Sequence, residues 1–420
     1  MDNHLKENYA ALVSIDWADQ AHQYALAEQN KPREKGKIEH RPEVLSEWVM
    51  DLRKRFPDGS IAICLEQFRG ALVYFLMRFD FIVLYLVNPL TLSKFREALY
   101  PSGCKDDPRD TDLLLDLLEK HRGKLRRWNP EPECVRKLDL LNQHRRAVVD
   151  DITRLTNRLT SYLKCYYPQA LSLAGALNTV QACDFLEKWP SLALLKKAKL
   201  QQIESFYRKH NCRSTKRISE RVASVKNAVA ITTDSAICSV YQLTVTSLVG
   251  QLRVLLDSLE QFDQELANTF EQYPDKDFYQ VLPGAGPVLQ PRLAAIFGLD
   301  RSKWQEAKEL QSFSGVAPVT EESGRSRWVH WRIACPKFIR QSLVEYANHS
   351  RAKSVWAAAY YRSQRDKQKS HQAALRALAY KWLRILFRCW KDRTPYNESI
   401  YMAALEKRNS PLIKLIAQNA

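Results

Sequence analysis

Over residues 8–128, short apolar runs alternate with amphipathic stretches. Leu12–Asp16 and Gln23–Ala27 predict the two strands of a hairpin, and Lys37–His40 is a candidate third strand. Val44, Leu45, Trp48, Val49 and Leu52 fall on one stripe, which predicts a helix over Pro42–Phe56 with proline in its first turn. Ile61–Glu66 and Phe81–Val87 are unbroken apolar runs, the pattern of strands covered on both faces. Helical spacing follows each of them, at Ala71–Phe79, then at Leu90–Leu99 after the Asn88-Pro89 break, and again at Asp110–Lys120. Strands and helices alternating in this way predict a mixed α/β sheet.

The pattern then changes. Between 129 and 275 strand signals nearly vanish. Leu138, Leu141, Val148, Ile152, Leu155, Leu159 and Leu163 recur near heptad spacing and predict a helix over Val135–Tyr166. Val245, Leu248, Leu252, Leu255, Leu259, Phe262 and Leu266 do the same over Val240–Tyr273. Two such helices fit an antiparallel coiled-coil arm used for oligomerisation, or two members of an ordinary bundle. From 276 onward, Pro283-Gly284-Ala285-Gly286 precedes a helix pattern through Leu293, Ile296 and Phe297. This is a helix-hairpin-helix-like turn in which Gly284 and Gly286 would let backbone N–H groups meet a phosphate, or a plain interhelix turn. The expected division is 8–128, 129–275 and 276–420.

Composition narrows the class. The chain has 420 residues, 45% of them hydrophobic, enough for several packed cores. No apolar run reaches the roughly 18 residues of a membrane span, and the first residues lack a signal-peptide core. Nine scattered cysteines without a Cys-x-x-Cys pair argue against a disulfide framework or structural zinc. The expected location is the cytoplasm, in association with the nucleoid. Net charge is +17, and residues 321–420 alone hold 20 Lys/Arg against 7 Asp/Glu. Aromatic residues interleave that basic quarter, Trp328, Trp331, Tyr361, Trp382 and Trp390 among them. Cations that displace counterions and rings that stack on bases favour a polyanionic partner over a small-molecule substrate.

Four acids occupy places where sites are built. Asp16 and Glu66 close two strand runs, and Asp107 and Asp110 open a helix. Asp107-Pro108 also reads as a helix cap. Ionised carboxylates about 4 Å apart at an effective dielectric near 20 repel by roughly 4 kcal/mol per pair, so a converging set implies a divalent cation. Oxygen-only ligands suit Mg2+ or Mn2+. In this order the acids resemble those of a ribonuclease H-like nuclease core. Asp106 is a rival to Asp107, whereas Asp112 is turned off the face shared with Asp110. Further on, Gly315–Pro318 and Glu321–Arg327 form a polar loop with a Ser323-Gly324 bend. Arg325 and Arg327 could stabilise charge on a phosphoryl group there, or the segment could be a surface turn.

Taken together, the chain resembles the bridge-RNA-guided insertion-sequence transposases over roughly residues 10–395. The resemblance rests on Ile15-Asp16, Glu66, Val87-Asn88-Pro89, Lys105-x-Asp107-x-x-Asp110, Pro283-Gly284-x-Gly286, Gly315-x-x-Pro318 and Ser323-Gly324. It implies an α/β RuvC-like (ribonuclease H-like) N-terminal domain, a helical coiled-coil middle and a mainly α C-terminal transposase domain. It implies that Asp16, Glu66, Asp107 and Asp110 hold Mg2+, and that Ser323 is a nucleophile forming a phosphoserine link to DNA. It also implies a non-coding bridge RNA that pairs with element-end and target DNA, and a homo-oligomer, dimer or tetramer, built through the helical arm. Arg325, Arg327, Lys337, Arg340, Gly284 and Gly286 are the expected nucleic-acid contacts. The chain departs from the family in Asp106 and Thr111, where Thr and Ala are usual, and in Cys335-Pro336, where many members have Gly-Asn. A junction-resolving, Mg2+-dependent endonuclease without a covalent intermediate is the alternative, and a non-enzymatic architectural nucleic-acid binder a third reading.

Overall fold

The computed structural model describes residues 8–66, 70–99 and 107–417, with side chains in the last segment from Arg109 onward. The chain divides into two compact units, residues 1–130 and 131–420. The first is mixed α/β and the second is mostly helical.

Unit 1 is a six-stranded sheet with helices on both faces. Its strands are β1 (Ala11–Asp16), β2 (Ala21–Ala27), β3 (Glu34–Glu39), β4 (Ile61–Leu65), β5 (Ile82–Leu86) and β6 (Arg127–Trp128). The spatial order is β3-β2-β1-β4-β5-β6. β1 pairs antiparallel with β2 and parallel with β4, and β4 runs parallel to β5. The helices are α1 (Pro42–Arg55), α2 (Ala71–Leu76), α3 (Pro89–Leu99) and α4 (Asp107–His121). Strand pleating sends alternate side chains to opposite faces. Val13, Ile15, Ile63 and Leu65 pack with Leu45 and Val49 of α1 and Leu72 of α2. Ala62, Cys64, Val83 and Tyr85 pack with Leu92 of α3 and Leu113, Leu114 and Leu117 of α4. The third strand is longer than its sequence suggests. β6, only two residues long, has no legible period.

At the β1–β2 end of this unit the buried His22, set against the half-buried His40, imposes a pH limit. His22 Nδ1 accepts from the Ala18 N–H at 3.2 Å, which leaves the proton on Nε2, 2.9 Å from His40 Nδ1. Burial, and then the neighbouring His40, lower the His22 pKa from 6.5 to about 4. A group with a depressed pKa that must stay neutral contributes its stability above the unfolded value and loses it as pH falls. Unit 1 is expected to lose stability as pH drops from about 6.5 towards 4. In a His22→Phe variant, that part of the acid dependence should be absent from full-chain thermal unfolding curves. An unchanged pH profile would remove His22 as the cause.

Unit 2 is built on two long helices packed along each other, α5 (Glu133–Tyr166) and a second one, Ser235–Glu271. Between them lie α6 (Ala170–Leu173), α7 (Val180–Lys188), α8 (Leu192–Lys197), α9 (Leu200–Lys209) and α10 (Thr215–Asn227), so the second long helix is α11. α11 starts five residues before its apolar period because Asp234 caps it, accepting from the N–H groups of Ala236 and Ile237. One core joins Ile152, Leu159 and Leu163 of α5 to Leu248, Val249 and Leu252 of α11 and to the shorter helices.

The other ends of the two long helices join a second core through Val135, Leu138, Leu266 and Phe270. That core is completed by α12 (Lys276–Gln280), α13 (Gly286–Phe297), α14 (Ala307–Phe313), α15 (Lys337–Ser350), α16 (Val355–Asp366), α17 (His371–Lys391), α18 (Glu398–Lys407) and α19 (Pro411–Ala417). Trp356, Trp382 and Trp390 of the basic quarter are fully buried in it, whereas Trp328 and Trp331 are exposed. The residues expected to form a polar loop instead form an antiparallel hairpin, β7 (Val319–Ser323) and β8 (Ser326–His330). Among the described residues no helix is long and apolar enough to cross a membrane.

Candidate active site

The acids of unit 1 are positioned by register and pleat. β1 and β4 are parallel, with Ile15 opposite Leu65, so Asp16 and Glu66 are the next pair in line. Neighbouring strands lie about 4.8 Å apart. Alternation puts Asp16 on the side of Ser14 and Glu66 on the side of Cys64, which is the face covered by α4. Ser14 Oγ donates to the Thr111 carbonyl at 2.7 Å, a buried clasp between β1 and the first turns of α4. Asp110 therefore sits beside the strand that ends in Asp16. Asp107 is the first residue of α4; its side chain, and Asp106 entirely, lie outside the described residues.

Asp110 is buried and has a partner that the sequence does not reveal. Arg96 of α3 donates from Nε and Nη2 to its two carboxylate oxygens, both at 2.6 Å. This fork matches the geometry of a carboxylate and neutralises a charge that is 1% exposed. Asp112 points elsewhere, held by Lys35 at 2.6 Å. Among the described residues no three acid, histidine or cysteine side chains converge closely enough to hold a metal. The donor chemistry nonetheless fits a divalent cation: Asp16 and Glu66 are adjacent, all donors are oxygen, and Asp110 is next door with a cation already against it. Asp110 would have to exchange Arg96 for the metal ion.

Ser323 lies at the tip of the β7–β8 hairpin. The pair Ser323–Ser326 closes a two-residue turn, Gly324-Arg325. Gly324 has φ +55°, the conformation that a two-residue hairpin turn places at its first central position. Ser323 is exposed, and its hydroxyl has no hydrogen-bond partner among the described residues. On its face of the ribbon lie Glu321, Trp328 and His330, and His330 is 3.4 Å from the Glu321 carboxylate. Arg327 is on the opposite face, paired with Glu322 at 3.2 Å, while Arg325 belongs to the turn itself. The arrangement offers an accessible hydroxyl on a sharp bend with cations close by.

The remaining expected contacts are dispersed. Gly284 has φ +77°, and a Cβ there would meet the His349 carbonyl at 2.7 Å, so its small size serves close packing against the end of α15. Gly286, the first residue of α13, faces open space. Lys337 opens α15, directly after Pro336, and Arg340 lies one turn on. Arg340 stacks 4.6 Å from the centre of the Trp331 ring. Sequence reasoning missed Arg96 and Arg376. An arginine fourteen residues before a buried aspartate carries no local signal.

A sheet with acids at adjacent strand ends, joined in one chain to a strongly basic helical unit, is the make-up of a DNA-processing enzyme. Residues 13–168 match a DEDD-type transposase family of the IS110 kind, and residues 279–362 match the "Transposase IS116/IS110/IS902 family". The candidate mini-circle transposase for IS117 from Streptomyces coelicolor is 25% identical over 413 residues, spanning 95% of this chain and 98% of its own. An uncharacterized 44.8 kDa protein of insertion element IS116 from Streptomyces clavuligerus is 26% identical over 70% of this chain and 73% of its own. A 43.6 kDa protein of insertion element IS110 from Streptomyces coelicolor is 24% identical over 71% and 74%. The chain belongs to the IS110/IS116/IS902 family of transposases. The DEDD character of its first part suggests dependence on a divalent metal.

Proposed function

We propose that this transposase excises and inserts a mobile element by serine-based DNA strand exchange, with a Mg2+-binding acid tetrad and a non-coding bridge RNA as guide. The observation that carries the reading is Ser323, an unpartnered hydroxyl on an exposed hairpin turn within the second transposase match. Asp16, Glu66, Asp107 and Asp110 would hold the metal in a RuvC-like domain, a reading compatible with the mixed sheet of unit 1. Bound Mg2+ or Mn2+ supplies Lewis-acid stabilisation of charge on phosphoryl oxygens. Ser323 Oγ attacks a DNA phosphorus, the Oγ–P bond forms, and the P–O bond to the departing deoxyribose breaks. The seryl proton leaves Oγ, and the departing oxygen is protonated. The phosphoserine ester conserves the bond, so a DNA hydroxyl can reverse the step to rejoin strands without a further energy source. Arg325 and Arg327 would serve the phosphate, while Lys337, Arg340 and the Gly284–Gly286 turn would contact nucleic acid. The basic surplus of residues 321–420 suits a partner whose base pairing, rather than protein side chains, reads the DNA sequence. We place the reaction in the cytoplasm, at the nucleoid, and the working divisions at 8–128, 129–275 and 276–420.

Two features support a homo-oligomer, dimer or tetramer. An isolated two-stranded hairpin is marginal in water, yet β7–β8 exposes Trp328 and Val329 on its opposite faces. On α11, Val240, Leu243 and Val254 are exposed on one side of the helix, opposite the buried Val245, Leu248 and Leu252. Leu243→Glu is expected to shift the protein to a smaller species in analytical ultracentrifugation. An unchanged sedimentation profile would take α11 out of the interface.

The test of the function is a denaturing gel of full-length protein with co-expressed RNA, Mg2+ and labelled element-end DNA. A covalent adduct whose proteolytic peptide carries the nucleotide on residue 323 supports the reading. Cleaved DNA without an adduct would instead support a junction-resolving endonuclease, which the acids alone could sustain.

A further inference from the structure

The hairpin that carries Ser323 runs straight into Trp331, and Trp331 borders a groove of about 460 Å3 between α15 and α17. Two arginines from different helices stack on this one indole, Arg340 at 4.6 Å and Arg376 at 5.2 Å from the ring centre. Lys337 stands at the same rim. The first turns of both helices line the groove, Lys337 at the start of α15 and His371 at the start of α17, so two positive helix ends add to three cations. Among the described residues no carboxylate pairs with Lys337, Arg340 or Arg376. The one acid on the groove, Glu345, is engaged by Arg292 at 2.7 Å and by Gln341 at 2.6 Å. Arg340 spends one N–H on the Arg332 carbonyl at 2.7 Å, and Arg376 has no hydrogen-bond partner among the described residues. Burial, and then the charge of Arg340, lower the Arg376 pKa, the mark of a cation held next to another cation. Guanidinium forks fixed by stacking are pre-oriented for phosphate.

Resting on the proposed reaction, we propose that this groove is a phosphodiester clamp for the DNA strand that Ser323 attacks, gripped by Lys337, Arg340 and Arg376 with Trp331 as their common support. Ser323 lies at the far end of the hairpin, about 13 Å along the strand from its base, so the grip acts on a neighbouring phosphate rather than the reacting one.

The test measures binding of full-length protein to a fluorescein-labelled single-stranded DNA 20-mer, and to the RNA of the same sequence, between about 50 and 200 mM salt. The Arg340→Gln/Arg376→Gln double variant should bind DNA about 10- to 100-fold more weakly, with a salt slope shallower by about 1.4, the single-strand value for two lost phosphate contacts. Trp331→Leu, which keeps every charge, should weaken DNA binding several-fold and leave the slope near that of the wild type. Thermal unfolding of each variant checks that the fold is retained. An unchanged salt slope in the double variant would overturn the clamp. A loss confined to the RNA would overturn it too, giving the groove to RNA. The adduct gel is read separately: wild-type protein that forms no adduct on residue 323 would sink the serine chemistry, while the loss of slope in the double variant still stands on its own.

Discussion

Ser323→Ala is expected to form no covalent protein–DNA species and to lower strand exchange by about a thousandfold or more, the scale on which loss of a nucleophile is felt. The chain itself should barely notice the change. Ser323 is exposed at a hairpin tip, its hydroxyl makes no bond among the described residues, and Gly324 rather than the serine shapes the turn. Surface substitutions of this kind stay within about 0.5 kcal/mol. DNA affinity, oligomeric state and unfolding temperature should therefore match those of the wild type while adduct formation disappears. Ser323→Cys keeps a nucleophilic atom at the same place and should retain a trace of adduct. Normal rejoining by the alanine variant would assign the chemistry to another group.

The second large effect belongs to Asp110. Asp110→Ala leaves the Arg96 guanidinium largely buried and without its carboxylate, and breaking such a pair costs about 3–5 kcal/mol. Loss of stability and loss of metal-dependent cleavage should then come together. Arg96→Met separates them, because it keeps the acid and removes its competitor. The variant should be destabilised in the absence of metal and should regain more unfolding temperature on addition of Mg2+ than the wild type does. Equal Mg2+ responses in the two proteins would mean that Asp110 does not hold the metal. The expected ordering follows from one geometric fact: both oxygens of Asp110 are taken by a single side chain at 2.6 Å.

What the sequence displayed and what it hid follow the burial of each element. Ile61–Leu65 and Ile82–Leu86 are buried at every position, so they stand out as apolar runs. The long helices stand out because one side faces a core for many turns. β7–β8 does not, since almost all of its residues face water and no alternation of inside and outside is written into it. The available signal was chemical: Val319, Thr320, Trp328 and Val329 flank a two-residue turn that begins with glycine. Asp16 and Glu66 were legible because strand ends are legible, but their adjacency depends on parallel pairing, which no local pattern states. Arg96 against Asp110, and Arg376 against Arg340, are products of helix packing. A charged residue on an amphipathic helix reads the same whether it meets solvent or a buried partner.

The clasp between Ser14 and the Thr111 carbonyl spans 97 positions of chain. The strand-end acids are synthesised early, but the helix that must close over them emerges only after a further stretch of some forty residues. Serine 323 comes much later still. A growing chain that folds from its N-terminus would thus assemble the unit with the strand-end acids first, long before Ser323 has left the ribosome. Interrupted translation would therefore release fragments that hold the strand-end acids but lack Ser323.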